Sequence, residues 1–498
     1  MIVNAKHPEY SAREQVWLFN TVSYLGDQLV RQIATSDALT HRVLSSTLSL
    51  PTMEFLWRHE RESTADYNRR ASVTAYKRVA GQVADQLVAA CFEGVMAPTI
   101  PASMPEEWLD DVDGAGTSWT RLLQDVATWC LTQGSCHVLA DLPAQGDETR
   151  EPGVPYLCVI PPLGLLDWVI DRRGRLTFAR VQENSVTNAH GITVQAYREW
   201  TPETVRVFAD AKLVSETPNP FGRVPIETVY FDRDPTATGP VGRAWIDTPA
   251  RLNQELFNAD SWVISILRTV TFPILALPTP EGVTQVETTQ ELSSTVALGI
   301  PAGGQVPSWI VPDRAAVDVI KDHAKSLMLE IRQLGGFYTD SESTQGVQSA
   351  EALHLKRATL DALLGTLGRN LADGATRIGR LACEIAGWEP REDFVQMFPE
   401  SYGDEGAGVR LEELAQAKDL GLPPKAMAVL KKSAVRTTFP QLEADVLAEL
   451  DAEIDAAVVE EAAREKARED RANEVKAAMM QGKAPMVPAE PEDDVEAE

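Results

Sequence analysis

Two amphipathic helical stretches, separated by a nearly uncharged interval, constrain this chain more than any other feature of it. From Thr248 to about Thr271, Leu252, Leu256, Ala259, Val263, Leu267 and Val270 form one apolar stripe at helical spacing. From Arg314 to Leu334, Val317, Ile320, Ala324, Leu327, Met328, Ile331 and Leu334 form a second, with Asp318, Asp322, Lys325 and Arg332 on the polar side. At ~1.5 Å per residue the first stretch is a rod of roughly 35 Å. Residues 271–313 between the rods are rich in Pro, Gly, Ser, Thr and Val, and Leu292 to Pro312 is nearly uncharged. Such a segment predicts a small β-containing excursion. Its apolar surface is covered either by neighbouring copies of the chain or inside a subdomain of its own.

The remaining patterns arrange themselves around this unit. Residues 10–95 read as helical, with Trp17, Leu18, Val22, Leu25, Leu29 and Ile33 in one stretch and about Tyr67 to Phe92 in another. After the prolines at 98, 101 and 105, Thr117 or Ser118 can cap a helix carrying Trp119, Leu122, Leu123, Val126, Trp129 and Cys130. A β-rich block of about 100 residues follows, with runs at Cys136–Leu142, Tyr156–Ile160, Leu165–Ile170, Leu176–Gln182, Ile192–Trp200, Thr204–Phe208 and Val224–Phe231. Beyond the second rod, Gly335 and Gly336 stop the helix and Phe337 to Gln348 is polar. A long helix then runs from Ala350 to about Gly387, and the last hundred residues are Ala- and Glu-rich. Met486 to Glu498 is rich in Pro and acid and reads as a disordered tail. The expected fold class is α+β, predominantly helical.

Charge and chemistry exclude several functions. With 46 Lys and Arg against 73 Asp and Glu, the chain carries −27. It lacks the basic footprint of a free nucleic-acid or anionic-membrane binder. Five scattered cysteines read as reduced core thiols, because they form neither a disulfide framework nor a CxxC metal set. The first 15 residues carry charges and a proline with no apolar run, so no secretory signal is expected. Arg268, Pro273 and Pro278 break the most apolar long stretch, and no membrane span is expected.

No P-loop, GxSxG, HExxH or GxGxxG in a strand–turn–helix setting is present. Asp111, Asp113 and Gly114 distantly follow a calcium loop, but Leu122 stands where its closing Glu would be, so a capped surface loop is expected. His59 to Glu62 is expected to be a charged loop patch, and Trp17, Trp119, Trp129 and Trp262 core anchors. The expectation is a non-enzyme with no catalytic residue, metal or cofactor.

Three stretches carry a resemblance. They are Trp108 to Ser118, leading through a helix to Val138-Leu-Ala-Asp; Tyr156-Leu-Cys-Val-Ile-Pro-Pro with Leu166-Asp-Trp-Val-Ile-Asp and Gly174-Arg-Leu-Thr-Phe-Ala-Arg-Val; and Asn219 to Phe231. In their order, followed by rod, excursion, rod, polar loop and long helix over about residues 100–390, the chain resembles the portal (head–tail connector) proteins of tailed bacteriophages.

The resemblance implies a portal fold with a wing (1–247, its β-rich block about 135–232) and stem helices at 248–272 and 314–336. It also implies a clip (273–313), a tunnel loop (337–350) and a helical crown (351–485) before the acidic tail (486–498). It implies a homo-oligomeric ring, typically of twelve subunits, at one capsid vertex of the virion, assembled in the host cytoplasm. Double-stranded DNA would pass through it without sequence specificity during packaging and ejection. The implied partners are the terminase large subunit, a head–tail adaptor, and the major capsid or scaffold protein, with no membrane. A different virion component, such as a minor capsid or adaptor protein, is the alternative; adaptors are usually much shorter.

Elementary electrostatics is compatible with a conduit. Each phosphate neutralised by Lys or Arg adds a salt-sensitive grip, whereas an acidic ring repels DNA and centres it; the same charge would also serve solubility alone. The channel candidates are Lys321, Lys325 and Arg332 on the second rod, and Asp340, Ser341, Glu342, Ser343, Thr344 and Gln345 in the polar loop, which has no Lys or Arg. For the three cations, salt bridging between subunits is the competing role.

Overall fold

The computed structural model describes residues 6–27, 30, 55–60, 62–143, 153–187, 193–209, 212–271, 274–279, 297–301, 308–310, 314–337, 350–399, 402, 424–438 and 450–457. The chain divides into two compact units, Met1–Tyr402 and Gly403–Glu498. The first mixes helices with mostly antiparallel sheets, an α+β arrangement.

Helix α1 (Pro8–Leu25) begins with proline in its first turn and ends at Gly26, whose φ of 97° halts it. The helical reading of this stretch is interrupted at Gly26 and resumes beyond it: Asp27 and Val30 are again helical, and the Val30 N–H donates to the Gly26 carbonyl (3.2 Å), while Leu29 and Ile33 lie outside the described residues. The stretch read as one helix from Tyr67 to Phe92 is two, α2 (Thr64–Val73) and α3 (Val79–Cys91). Neither Gly nor Pro marks the break. It is fixed from a distance, because the Asp27 carboxylate accepts the Tyr76 backbone N–H at 2.6 Å. Helix α4 (Trp119–Gln133) starts where Ser118 Oγ accepts the Arg121 N–H (3.3 Å) and stops at Gly134, φ 87°. A side chain at 134 would also collide with the Gly242 backbone, so this close approach requires glycine.

The β-rich block forms two main sheets. Strand β1 (Ser135–Asp141) is flanked antiparallel by β2 (Tyr156–Ile160) and β8 (Ile226–Tyr230), with Leu139 opposite both Cys158 and Ile226. Every residue of β1 is buried. The second sheet is an antiparallel meander of β3 (Leu165–Ile170), β4 (Leu176–Thr187), β5 (Thr193–Trp200), β6 (Thr204–Ala209) and β7 (Lys212–Pro218). Strand β7 has no counterpart in the sequence reading. All seven of its residues are exposed, so no apolar alternation announces this edge. A short ribbon pairs β9 (Asp232–Arg233) with β10 (Gly242–Arg243).

Helix α5 (Asp247–Thr271) leads into a small sheet in which β11 (Ile274–Thr279) pairs parallel with β12 (Ala297–Pro301) and antiparallel with β13 (Ser308–Ile310). Helix α6 (Arg314–Leu334) follows, then α7 (Ala350–Ala386). One core cluster joins Leu87 of α3, Leu122 and Val126 of α4, Val138 of β1, Leu256 of α5, Leu327 and Ile331 of α6, and Leu371 and Ile378 of α7. A second packs Tyr10 and Trp17 of α1 on Trp168, Val181 and Trp200 of the meander.

The second unit is described at α8 (Pro424–Thr438) and at 450–457, which is helical, with a Lys432–Asp455 ion pair at 2.7 Å. Phe337 and Ala350 are the described ends of the 337–350 segment; residues 338–349, most of the interval after 438, and the 486–498 tail lie outside the described residues.

Candidate functional site

The feature that organises the molecule is the α5–α6 pair. Trp245 Nε1, just before α5, donates to the carbonyl of Leu334 at the end of α6 (3.3 Å). Ten residues on, Glu255 of α5 meets His323 Nε2 of α6 at 2.9 Å. Advancing along α5 therefore means retreating along α6, and the helices run antiparallel. At ~1.5 Å per residue they are rods of roughly 37 and 31 Å. By chain continuity the small β11–β13 sheet sits at their far end.

The near end is locked to the body by buried polar groups. Asn253 Oδ1 accepts from the Ala80 N–H (3.0 Å), and its Nδ2 donates to the Lys77 carbonyl (2.8 Å). Asn258 Oδ1 accepts from the Trp57 N–H (2.7 Å), and its Nδ2 donates to the carbonyls of Phe55 (2.9 Å) and Gln254 (2.8 Å). Both asparagines are fully buried.

Beside them Arg70, also buried, grips the Glu62 carboxylate with two N–H groups at 2.8 and 2.6 Å. The same guanidinium donates to the Trp57 carbonyl (2.7 Å) and to Ser261 Oγ on α5 (2.9 Å). Arg70 holds the Glu62 carboxyl below the usual carboxylate range. A buried fork of this kind is costly to break because it strands a charge. It shows the His59–Glu62 segment as more than a surface patch: Glu62 is half of an internal lock.

The candidate cations occupy the outer face of α6. Lys321, Lys325 and Arg332 are all exposed. Separated by four and seven residues, they share one stripe within an arc of about 40°. Lys325 pairs with Asp322 at 3.1 Å, with both side chains more than two-thirds exposed, so the pair contributes little to stability. No carboxylate among the described residues pairs with Lys321 or Arg332. Asp340, Ser341, Glu342, Ser343, Thr344 and Gln345 lie outside the described residues.

Sequence reasoning missed the Arg70–Glu62 lock and misread Trp262. Trp17 and Trp119 are buried, but Trp262 is 40% exposed and lies 6.2 Å from the equally exposed Trp57. Trp262 lies beside the apolar stripe of α5, whose Val263 is buried. In the other loops, Asp113 accepts the N–H groups of Ala115 and Thr117, and Asp111 that of Gly116, as a self-capped turn. Burial raises the thiols of Cys91, to about 12, and Cys383, to about 11, so both stay protonated. Among the described residues, no three His, Cys, Asp or Glu side chains gather as a metal site, and no helix is long and apolar enough to cross a membrane.

No protein-family model matches the chain, and no curated protein matches it. Among solved structures it is similar to a chain in the virion of a native gene transfer agent particle, at 16% identity, covering 71% of this chain and 89% of that one with a TM-score of 0.36. It is likewise similar to a chain in the neck of an empty gene transfer agent particle, at 16% identity, covering 73% and 90% with a TM-score of 0.37.

Proposed function

We propose that this chain is a portal-type virion subunit. In this reading copies close into a ring at one capsid vertex, and the ring conducts double-stranded DNA in and out while docking the packaging motor and the head–tail adaptor. The observation that carries the reading is the antiparallel α5–α6 shaft. Buried asparagines and the Arg70 fork hold it to the body at one end, and it bears a small three-stranded sheet at the other. The order of elements around it supports the same reading. In this account the shaft does mechanical work and no bond chemistry. The Lys321–Lys325–Arg332 stripe, spread along roughly 17 Å of helix, faces the channel and touches phosphates in passing. Each subunit sets these three cations against the exposed Asp318, Asp322 and Glu330 of the same helix, so the excess of positive charge does not build up around the ring, while the net charge of −27 opposes adhesion elsewhere.

The test is mass photometry of the purified chain, alone and after co-expression with its capsid and scaffold proteins. One closed multiple of the 54.6 kDa subunit supports the proposal. A subunit that stays monomeric in both preparations overturns it.

A further inference from the structure

A concavity with more arginines than carboxylates is lined by no residue of the shaft. A cleft of about 980 Å³ opens between the β3–β4 turn, strand β8 with the loop before it, and one face of α7. Six arginines line it, Arg173, Arg175, Arg223, Arg233, Arg377 and Arg391, against Asp171, Glu227, Asp373 and Glu384. In a chain this acidic, such a local excess of positive charge calls for an explanation.

Three of the arginines are built into the walls. Arg223 pairs with Glu227 (2.8 Å) and Glu384 (3.5 Å). Arg377 reaches Glu227 (3.5 Å) and donates to the Thr228 carbonyl (2.9 Å), and Arg391 pairs with Glu384 (2.9 Å). These pairs consume both glutamates and brace α7 against β8.

The other three form no direct ion pair with a carboxylate among the described residues. Arg173 and Arg175 stand exposed on the β3–β4 turn, and Arg233 lies over the Tyr230 ring, 5.9 Å from its centre. The turn that presents the first two is rigid. Asp171 Oδ1 accepts the N–H groups of Arg173 (2.7 Å) and Arg175 (2.9 Å), and Gly174 takes the positive φ of 78° that closes it. That carboxylate is held in its own turn by backbone N–H groups and forms no direct ion pair with either guanidinium, although both arginines help to hold its pKa below the usual carboxylate range. Leu176 is the partly exposed apolar residue at the cleft, with Val224 and Ile226 buried beneath it.

We infer that this cleft is a docking groove for an extended, carboxylate-rich peptide segment of a partner protein. Arg173, Arg175 and Arg233 take its carboxylates and Leu176 meets the apolar side chains between them. The planar guanidinium fork binds carboxylates two oxygens at a time, and arginine clusters are a recurrent device for acidic motifs. The dimensions decide against a nucleic-acid duplex. The volume is that of a site for a drug-sized ligand or a short strand, and α7 walls one side, so a duplex cannot enter. The inference is independent of the channel proposal, since it involves no residue of the shaft.

The experiment is fluorescence anisotropy on the full chain with a fluorescein-labelled peptide of sequence Leu-Glu-Glu-Leu-Glu-Glu. A short DNA duplex and inorganic phosphate serve as competitors. The expected result is saturable binding that weakens with salt. Joint R173E, R175E and R233E substitution should lower affinity by about tenfold or more. The milder R173Q and R175Q pair, at exposed turn positions, should lower it by less. Reversing two exposed cations elsewhere, R69E and R121E, should leave it within about twofold. No saturable binding, equal binding by the triple variant, or displacement by the DNA duplex more readily than by unlabelled peptide would each overturn the inference.

Discussion

The two ends of α5 differ in a way that separates folding from assembly. Over its first turns the helix is enclosed: Asn253, Leu256, Phe257, Asn258, Ala259 and Ser261 are buried and the polar ones among them are hydrogen-bonded to the α2–α3 segment and its approach. Beyond Ser261 the enclosure loosens: Val263 of the stripe is still buried, but the residues around and after it open. Trp262 and Leu267 are about two-fifths exposed, and Val319 on the antiparallel helix is 69% exposed. A residue pattern that continues unchanged therefore serves two environments. One end is satisfied within its own chain, whereas the other leaves Leu267 and Val319 open and Trp262 covered only in part, beside Trp57. In the ring account, neighbouring subunits cover them.

The contrast can be attacked from either end. The largest effect is expected at the lock. R70A strands the Glu62 carboxylate and removes the donors to Trp57 and Ser261, and should cost about 3–5 kcal/mol in urea unfolding; a loss under about 1 kcal/mol would show that the near end is not held this way.

Next comes an acid response of the body. Burial lowers His137 to about 3, while the unfolded chain titrates near the ordinary value of about 6.5. The unfolded state binds more protons between these values. Stability is therefore complete above about pH 6.5 and falls by about 1.4 kcal/mol per pH unit below it, reaching roughly 2 kcal/mol by about pH 5. H137Q should flatten that slope in pH-dependent unfolding; an unchanged slope would assign it to other groups. N258A, which leaves the Trp57 N–H and the Phe55 carbonyl unpaired, should cost about 1–3 kcal/mol by the same unfolding measurement.

The smallest stability effect is expected at the far end. W262S with V319S should move unfolding by less than about 0.5 kcal/mol yet shift sedimentation toward smaller species. If instead stability falls and assembly persists, the exposed stripe is part of the subunit's own core.

The same contrast explains what could be read from the residues alone. Local devices were legible: the α5 and α6 stripes, the Ser118 cap, and the Pro-, Gly- and Val-rich interval 271–313 that holds β11–β13. Features set from a distance were not. The break between α2 and α3 depends on Asp27, nearly fifty residues away, and β7 pairs only because β6 lies beside it. Arg70 and Glu62 look like ordinary surface charges until the fold buries them together. For the cation stripe, spacing gives the shared face directly, since positions four and seven apart on a helix align. What the stripe faces is a property of the assembly, which no pattern within one chain encodes.

The most direct measurement is a single-particle electron cryomicroscopy reconstruction of the assembled protein. The account predicts a closed ring whose central hole admits a double helix, with the α5–α6 shafts around it and the outer face of α6, bearing Lys321, Lys325 and Arg332, turned to the lumen. An assembly without a hole of that width, or one in which those three side chains point away from it, would contradict the account.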